Sequence, residues 1–201
     1  MRPPAILSRL RRDDRGAALV EFGFVAPVMI VLLLGALDLG HTMYTKSILE
    51  GAVQKAARDS ALDKGTETVF QKSVDDKVKG QVTAVLPSTA SIDIKRRYFH
   101  DFAQAKANQA ETYVDTNKNN KCDAGEPFED ENGNGVRDTE GGQGQGNAKD
   151  ATVMTVTVAY PRLFPMYGLA GLPKNQTIKA TTVLANQPYS EQNAPKQGKC
   201  A

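Results

Sequence analysis

The sequence predicts an α+β fold: a long N-terminal helix that begins as a membrane span, a second helix, and a small antiparallel sheet. Three observations lead there. From Ala17 to Leu37 the only charge is Glu21. Small and apolar residues then recur at helical spacing as far as Val85. Three later runs alternate β-branched and polar residues with period two. Once a membrane anchor is subtracted, the 201-residue chain leaves room for one modest domain.

The apolar run is 21 residues long. At about 1.5 Å per residue it crosses a hydrocarbon core of about 30 Å. A buried helix of a soluble protein is the alternative, but so small a domain could hardly cover one on all sides. Pro27 is tolerable in a membrane helix. Arg2, Arg9, Arg11, Arg12 and Arg15 precede the span, against Asp13 and Asp14. This asymmetry predicts a cytoplasmic N-terminus, with the rest outside. The run is too long for an ordinary signal peptide, and no convincing cleavage site follows it, so the span is expected to stay.

Beyond the span, Leu49, Ala52, Val53, Ala56 and Ser60 keep helical spacing, which extends the first helix to about Lys64, with Gly65 as its stop. Phe70, Val74, Val78, Val82 and Val85 predict a second helix ending before Pro87. The strands are SIDIKRRYF, ATVMTVTVAY and QTIKATTVLA. In the first, Arg96 interrupts the apolar face of Ile92, Ile94 and Tyr98. The helices are expected to cover the sheet. Between the last two strands, Leu163, Phe164, Met166 and Tyr167 are a loop packed on the core or a surface for membrane or partner. GGQGQGNAK at 141–149 reads as a flexible linker, and the tail after Gln187 as loose. The organisation is thus a basic leader (1–16), a span (17–40), helices and first strand outside the membrane (41–110), an insertion with Gly-rich linker (111–150), strands (151–187) and a tail (188–201).

Net charge is +2 and there is no tryptophan, so nothing favours nucleic acid as a partner. His41 reads as an interfacial residue and His100 as a loop residue. Neither has a matching nucleophile pattern, no phosphate loop follows a strand, and no enzymatic centre is expected.

DTNKNNKCDAGEPFEDENGNGVRD fits two calcium loops in tandem. With Asp115 at position 1, Asn117 and Asn119 fall at 3 and 5. Lys121 offers its carbonyl at 7, Asp123 lies at 9, and Glu126 closes the loop at 12. Asn120 stands where calcium loops carry Gly, and Asn is the next-best residue for a positive φ. Fifteen residues on, Asp130, Asn132, Asn134, Val136 (by its carbonyl) and Asp138 repeat positions 1, 3, 5, 7 and 9. Position 12 is Gly141, so Glu140 or a first-loop donor must close the second loop. Asparagines at positions 3 and 5 lower the site charge and predict a weak, extracellular-type calcium site. Solvated Asx-rich turns are the alternative. The expected role is to order the insertion. Outside the cytoplasm Cys122 and Cys200 could form a disulfide pinning the tail; two free thiols or pairing between chains are the alternatives.

Arg11 to Ala61 carries RRDDRGAALVEFGFVAP, a Leu-rich run, G-x-x-D-x-G from Gly35 to Gly40, and an Ala-rich segment near Ala57. This segment resembles the TadE/TadG family of tight-adherence (Flp-type) pilus proteins. Asp38 replaces the family's more usual Glu. The resemblance implies a pilin-like minor pseudopilin or pilus-assembly component: a single-pass inner-membrane protein with its globular part in the periplasm. Its implied partners are other pseudopilins, the pilus assembly machinery and a prepilin peptidase. The peptidase would cut after Gly16, leaving Ala17 as the new terminus. Glu21, followed by Phe22, would then be residue 5 of the mature chain. The calcium insertion is not implied by the family. A membrane-anchored, calcium-dependent adhesion or binding module is the alternative function.

Overall fold

A computed structural model describes residues 15–61, 68–164, 168, 171–187 and 194–201. Arg2, Arg9, Arg11, Arg12, Asp13, Asp14, Gly65, Met166 and Tyr167 lie outside them. The described residues up to Met43 form one compact unit with those of Arg162–Lys174; the described residues of Tyr44–Pro161 and Asn175–Ala201 form a second.

The first helix, α1 (Arg15–Ser60), is continuous through Pro27. In its apolar part Leu19, Phe22, Phe24 and Leu32 all stand exposed. A helix apolar and exposed all round is stable in lipid, where every backbone group is bonded within the helix. It is long and apolar enough to cross a membrane, which fits a single-pass membrane protein. It ends at Ser60, short of Lys64. The last turn is closed by Ala61 donating to the Ala57 carbonyl and Gln145 Nε2 donating to the Ser60 carbonyl. Side-chain capping of this kind satisfies carbonyls that the helix itself leaves unpaired.

In the second unit, α2 (Thr68–Thr83) buries Val74, Val78 and Val82, one residue per turn. The main sheet consists of β1 (Ser91–Phe99), β3 (Gly142–Gln143), β4 (Ala151–Pro161) and β5 (Asn175–Ala185). Its order is β3–β1–β4–β5, and every pairing is antiparallel. Val156 stands opposite Ile94 and Ala180; Val158 stands opposite Ile92 and Ile178. Leu49, Val53 and Ala56 of α1, the α2 valines, and Met154, Val156, Val158 and Tyr160 of β4 form one core. Each such Val or Leu side chain contributes about 1.5–3 kcal/mol by leaving water.

Arg96 takes the place of an apolar residue on β1 because Asp75 of α2 meets it. Its Nη1 lies 3.1 Å from Asp75 Oδ2, and Nη2 donates to Oδ1. A short helix absent from the sequence reading, α3 (Phe102–Ala107), is capped by the Asp101 carboxylate accepting from Gln104 N–H at 2.8 Å. A two-stranded sheet pairs β2 (Pro127–Asp130) with β6 (Lys196–Lys199).

Two expectations are corrected. The Gly-rich stretch is a packed part of the sheet rather than a linker: Gly142 and Gln143 pair with Tyr98 and Arg97. Gly141 has φ +80°, and a β-carbon there would come within 2.6 Å of the Phe99 ring. Glycine serves the approach to a ring here, not chain flexibility. In the tail, Lys196–Lys199 form a strand, and Cys200 N–H continues its pairing by donating to the Glu126 carbonyl; residues 188–193 lie outside the described residues.

Candidate functional site

The insertion is built around β2, which joins the two loops. Tyr113 bridges Phe128 on one edge of β2, while β6 pairs along the other. Val114 N–H donates to the Pro127 carbonyl, and Glu129 N–H to the Thr112 carbonyl, both at 2.9 Å. The segment before the first loop therefore runs beside β2 and brings Glu111 to the second loop, which begins at Asp130.

The first loop turns around Asp115. Asp115 Oδ1 accepts from Asn119 N–H at 3.1 Å, and Oδ2 from Asn120 N–H at 2.7 Å. Lys118 and Asn120 both have φ +61°, so Asn120 adopts the left-handed conformation that the pattern demands of position 6. Asn117 and Asn119 each point Nδ2 at Asp123 Oδ2, at 2.6 Å. Glu126, buried at the closing position, accepts from Thr116 N–H at 2.8 Å and Asp123 N–H at 3.0 Å. Lys121 donates its N–H to Asn119 Oδ1.

The second loop repeats this arrangement. Asp130 Oδ1 accepts from Asn134 N–H and Oδ2 from Gly135 N–H. Gly133 and Gly135 supply the positive φ. Asn132 and Asn134 point Nδ2 at Asp138 Oδ2, both at 2.7 Å, and Val136 N–H donates to Asn134 Oδ1. The closing carboxylate is Glu111. It accepts from Glu131 N–H at 3.0 Å and Asp138 N–H at 2.9 Å, the same two loop positions that Glu126 holds in the first loop. Glu140 does not close the loop; it pairs with Arg97 at 2.9 Å. Burial pushes the Glu111 carboxyl up; hydrogen bonding at Asp138 opposes this, while the charges of Asp138 and Asp130 add to it. Arg137 lies 4.3 Å from the Tyr113 ring centre and donates to the Glu111 carbonyl, tying the second loop to the segment that precedes the first.

Among the described residues no three His, Cys, Asp or Glu stand together as a metal cluster. The loops present a mixed set of carboxylate and amide groups instead. In this arrangement the inward groups at positions 3 and 5 are amide donors. Half a turn of each amide places Oδ1 inward, the acceptor set a hard cation needs. Asn119 N–H and Asn134 N–H keep Asp115 and Asp130 as acceptors after that turn. Lys121 N–H and Val136 N–H would give up their bonds to the amides. A hard cation would thus need both the amide rotation and new acceptors for the Lys121 and Val136 N–H groups.

Cys122, in the first loop, is joined to Cys200 by a disulfide with Cα atoms 5.8 Å apart. Gly125 N–H donates to the Cys200 carbonyl at 2.9 Å, which fixes the bridge beside the loop.

On α1, Gly16 and Ala17 lie in the first turn and Glu21 one turn further on, all exposed. Phe22 is exposed beside Glu21. Asp38, just past the apolar run, is buried and pairs with Arg162.

Residues 16–58 match the TadE-like protein family. The TadE-like segment thus coincides with α1 and ends before α2, so the paired loops and the sheet lie outside it. Within it fall Gly16, Ala17, Glu21, Phe22 and Asp38. No curated protein and no solved structure matches the chain.

Proposed function

We propose that this chain is a membrane-anchored structural component of tight-adherence pilus assembly, a minor pseudopilin. It sits in the inner membrane with its sheet-bearing unit in the periplasm. The observation that carries the reading is the TadE-like match lying on a helix whose apolar surface is exposed on every side. A carboxylate such as Glu21 near that surface costs a few kcal/mol unless it is paired. Cleavage after Gly16 would create a cationic amine on Ala17. Glu21 pairs with that amine on a neighbouring subunit, so association removes the cost of the lone charge. Glu21→Ala should abolish piliation or co-purification with other pilus components; normal pili in that variant count against the reading. N-terminal sequencing of membrane-derived protein should begin at Ala17, and an intact Met1 rejects processing.

The paired loops bind calcium and thereby order the insertion. Asp115, Asn117, Asn119, Asp123, Glu126 and the Lys121 carbonyl hold one ion. Asp130, Asn132, Asn134, Asp138, the Val136 carbonyl and Glu111 hold the other. What supports this is the identical placement of Glu126 and Glu111 against two separate loops. Calorimetry on the full chain in detergent should show two binding events. Glu111→Ala should remove the second and spare the first, and Glu126→Ala the reverse. No heat at millimolar calcium with an intact fold rejects the assignment. Deleting 115–138 separates assembly from adhesion: pili that form but no longer attach favour the adhesion module.

A further inference from the structure

The connection between β4 and β5 is held to α1 in a way that the assembly role does not explain. Arg162 pairs with Asp38, and the two side chains are only 11% and 9% exposed. Arg162 also closes the neck of its own loop: its N–H donates to the Lys174 carbonyl at 3.2 Å and its Nε to the Pro173 carbonyl at 3.1 Å. Asp38 directly follows Leu37, the last residue of the apolar run. The loop is therefore fastened to the helix at the outer end of the span, and the two belong to one compact unit.

From Leu163 to Pro173 the loop has no charged residue; its charges are Arg162 and Lys174 at the ends. Leu163 is 51% exposed and Leu172 43%. Leu37, Leu39 and Met43 on the adjoining helix are exposed as well, so the apolar surface of the span continues past Asp38. Exposed leucines beside an arginine that is paired to the end of a lipid-facing helix, and bordered by a lysine, have the character of a membrane-interface anchor. A patch meant for water would be interrupted by charge, and one docked on a core would be covered.

We propose that the two ends of the β4–β5 connection, at Leu163 and Leu172, form a second membrane contact. Leu163 and Leu172 enter the headgroup–acyl boundary of the leaflet around the outer end of α1, and Lys174 meets lipid phosphates. The Asp38–Arg162 pair sets the depth. It is an ion pair kept from water, and losing one partner leaves the other buried without its charge. The inference rests on α1 spanning the membrane.

The natural absence of tryptophan allows a direct test. Full-length Leu163→Trp, Leu172→Trp and, in the span, Val31→Trp are each reconstituted in phosphatidylcholine–phosphatidylglycerol vesicles with or without brominated acyl chains. Both loop variants should emit at blue-shifted wavelength, lose intensity in brominated lipid as Val31→Trp does, and resist aqueous iodide. Adding Asp38→Asn should shift Leu163→Trp toward water, with red-shifted emission and less bromolipid quenching, while Val31→Trp stays unchanged. Iodide quenching of the loop tryptophans beside a bromolipid-quenched Val31→Trp overturns the loop assignment alone. Blue-shifted loop emission without bromolipid quenching overturns it in favour of a protein cover. Failure of bromolipid to quench Val31→Trp overturns the span and the loop together. An unaltered Leu163→Trp signal in Asp38→Asn overturns the depth-setting role of the pair.

Discussion

Arg96 and Asp75 show what a single polar pair does inside an apolar face. The arginine side chain is 8% exposed and the aspartate 23%. Removing the aspartate alone leaves a buried cation, so Asp75→Ala should destabilise the fold by about 3 kcal/mol. Replacing both, Asp75→Leu with Arg96→Met, should recover most of that loss, because well-packed apolar residues often match a buried ion pair. Urea unfolding of the full chain in detergent measures the cycle; a double variant no better than Asp75→Ala contradicts it. A second residue-scale case is Gln145, which donates to Asn186 Oδ1 at 3.0 Å while Asn186 donates to the Gln145 carbonyl at 2.8 Å. Gln145→Ala should cost about 1–3 kcal/mol by leaving a buried acceptor unmet. Arg96 was visible in the sequence only as an interruption. Its partner lies 21 positions away on another element, which no local pattern encodes.

Elements differ in how far local pattern determines them. β1, β4 and β5 were readable because one face of each is apolar and the period is two, and register follows once that face must be buried. The α2 stripe was readable for the matching reason at helical period. β6 was not: KQGK has no apolar face, and its pairing depends on β2 and on the adjacent Cys200. The Gly-rich stretch misled because composition cannot separate glycine needed for mobility from glycine needed beside a ring. The Asx-rich turns at Asp115 and Asp130 were legible residue by residue, since each spacing is local. Glu111 was not legible, because it reaches its loop only through the pairing of 112–114 with β2. The missing carboxylate at Gly141 was the one signal that some outside residue had to serve. At this scale β4 should be the least tolerant element. Met154 is fully buried at its centre, and Met154→Ala should cost about 2–5 kcal/mol in the same unfolding assay.

For the whole molecule, the proposed calcium loops and the disulfide lie in the same part of the chain. Calcium at 100 times its dissociation constant should add about 2.7 kcal/mol per site, read as a higher midpoint in calcium than in chelator. The Cys122–Cys200 bridge spans 78 positions. Constraint of the unfolded chain by a loop of that size amounts to about 4.5 kcal/mol at most, which Cys200→Ser should forfeit. The bridge also redirects mechanical load. A pull between α1 and the C-terminus enters at Cys200 and crosses directly to Cys122, so β4 and β5 carry none of the tension along their backbone. In single-molecule stretching, the released contour length should omit residues 123–199 until a reductant is added. Under such a pull the chain would yield only its stretch before Cys122, β1 included, while the strands from β2 to β6 would remain a closed, untensioned ring.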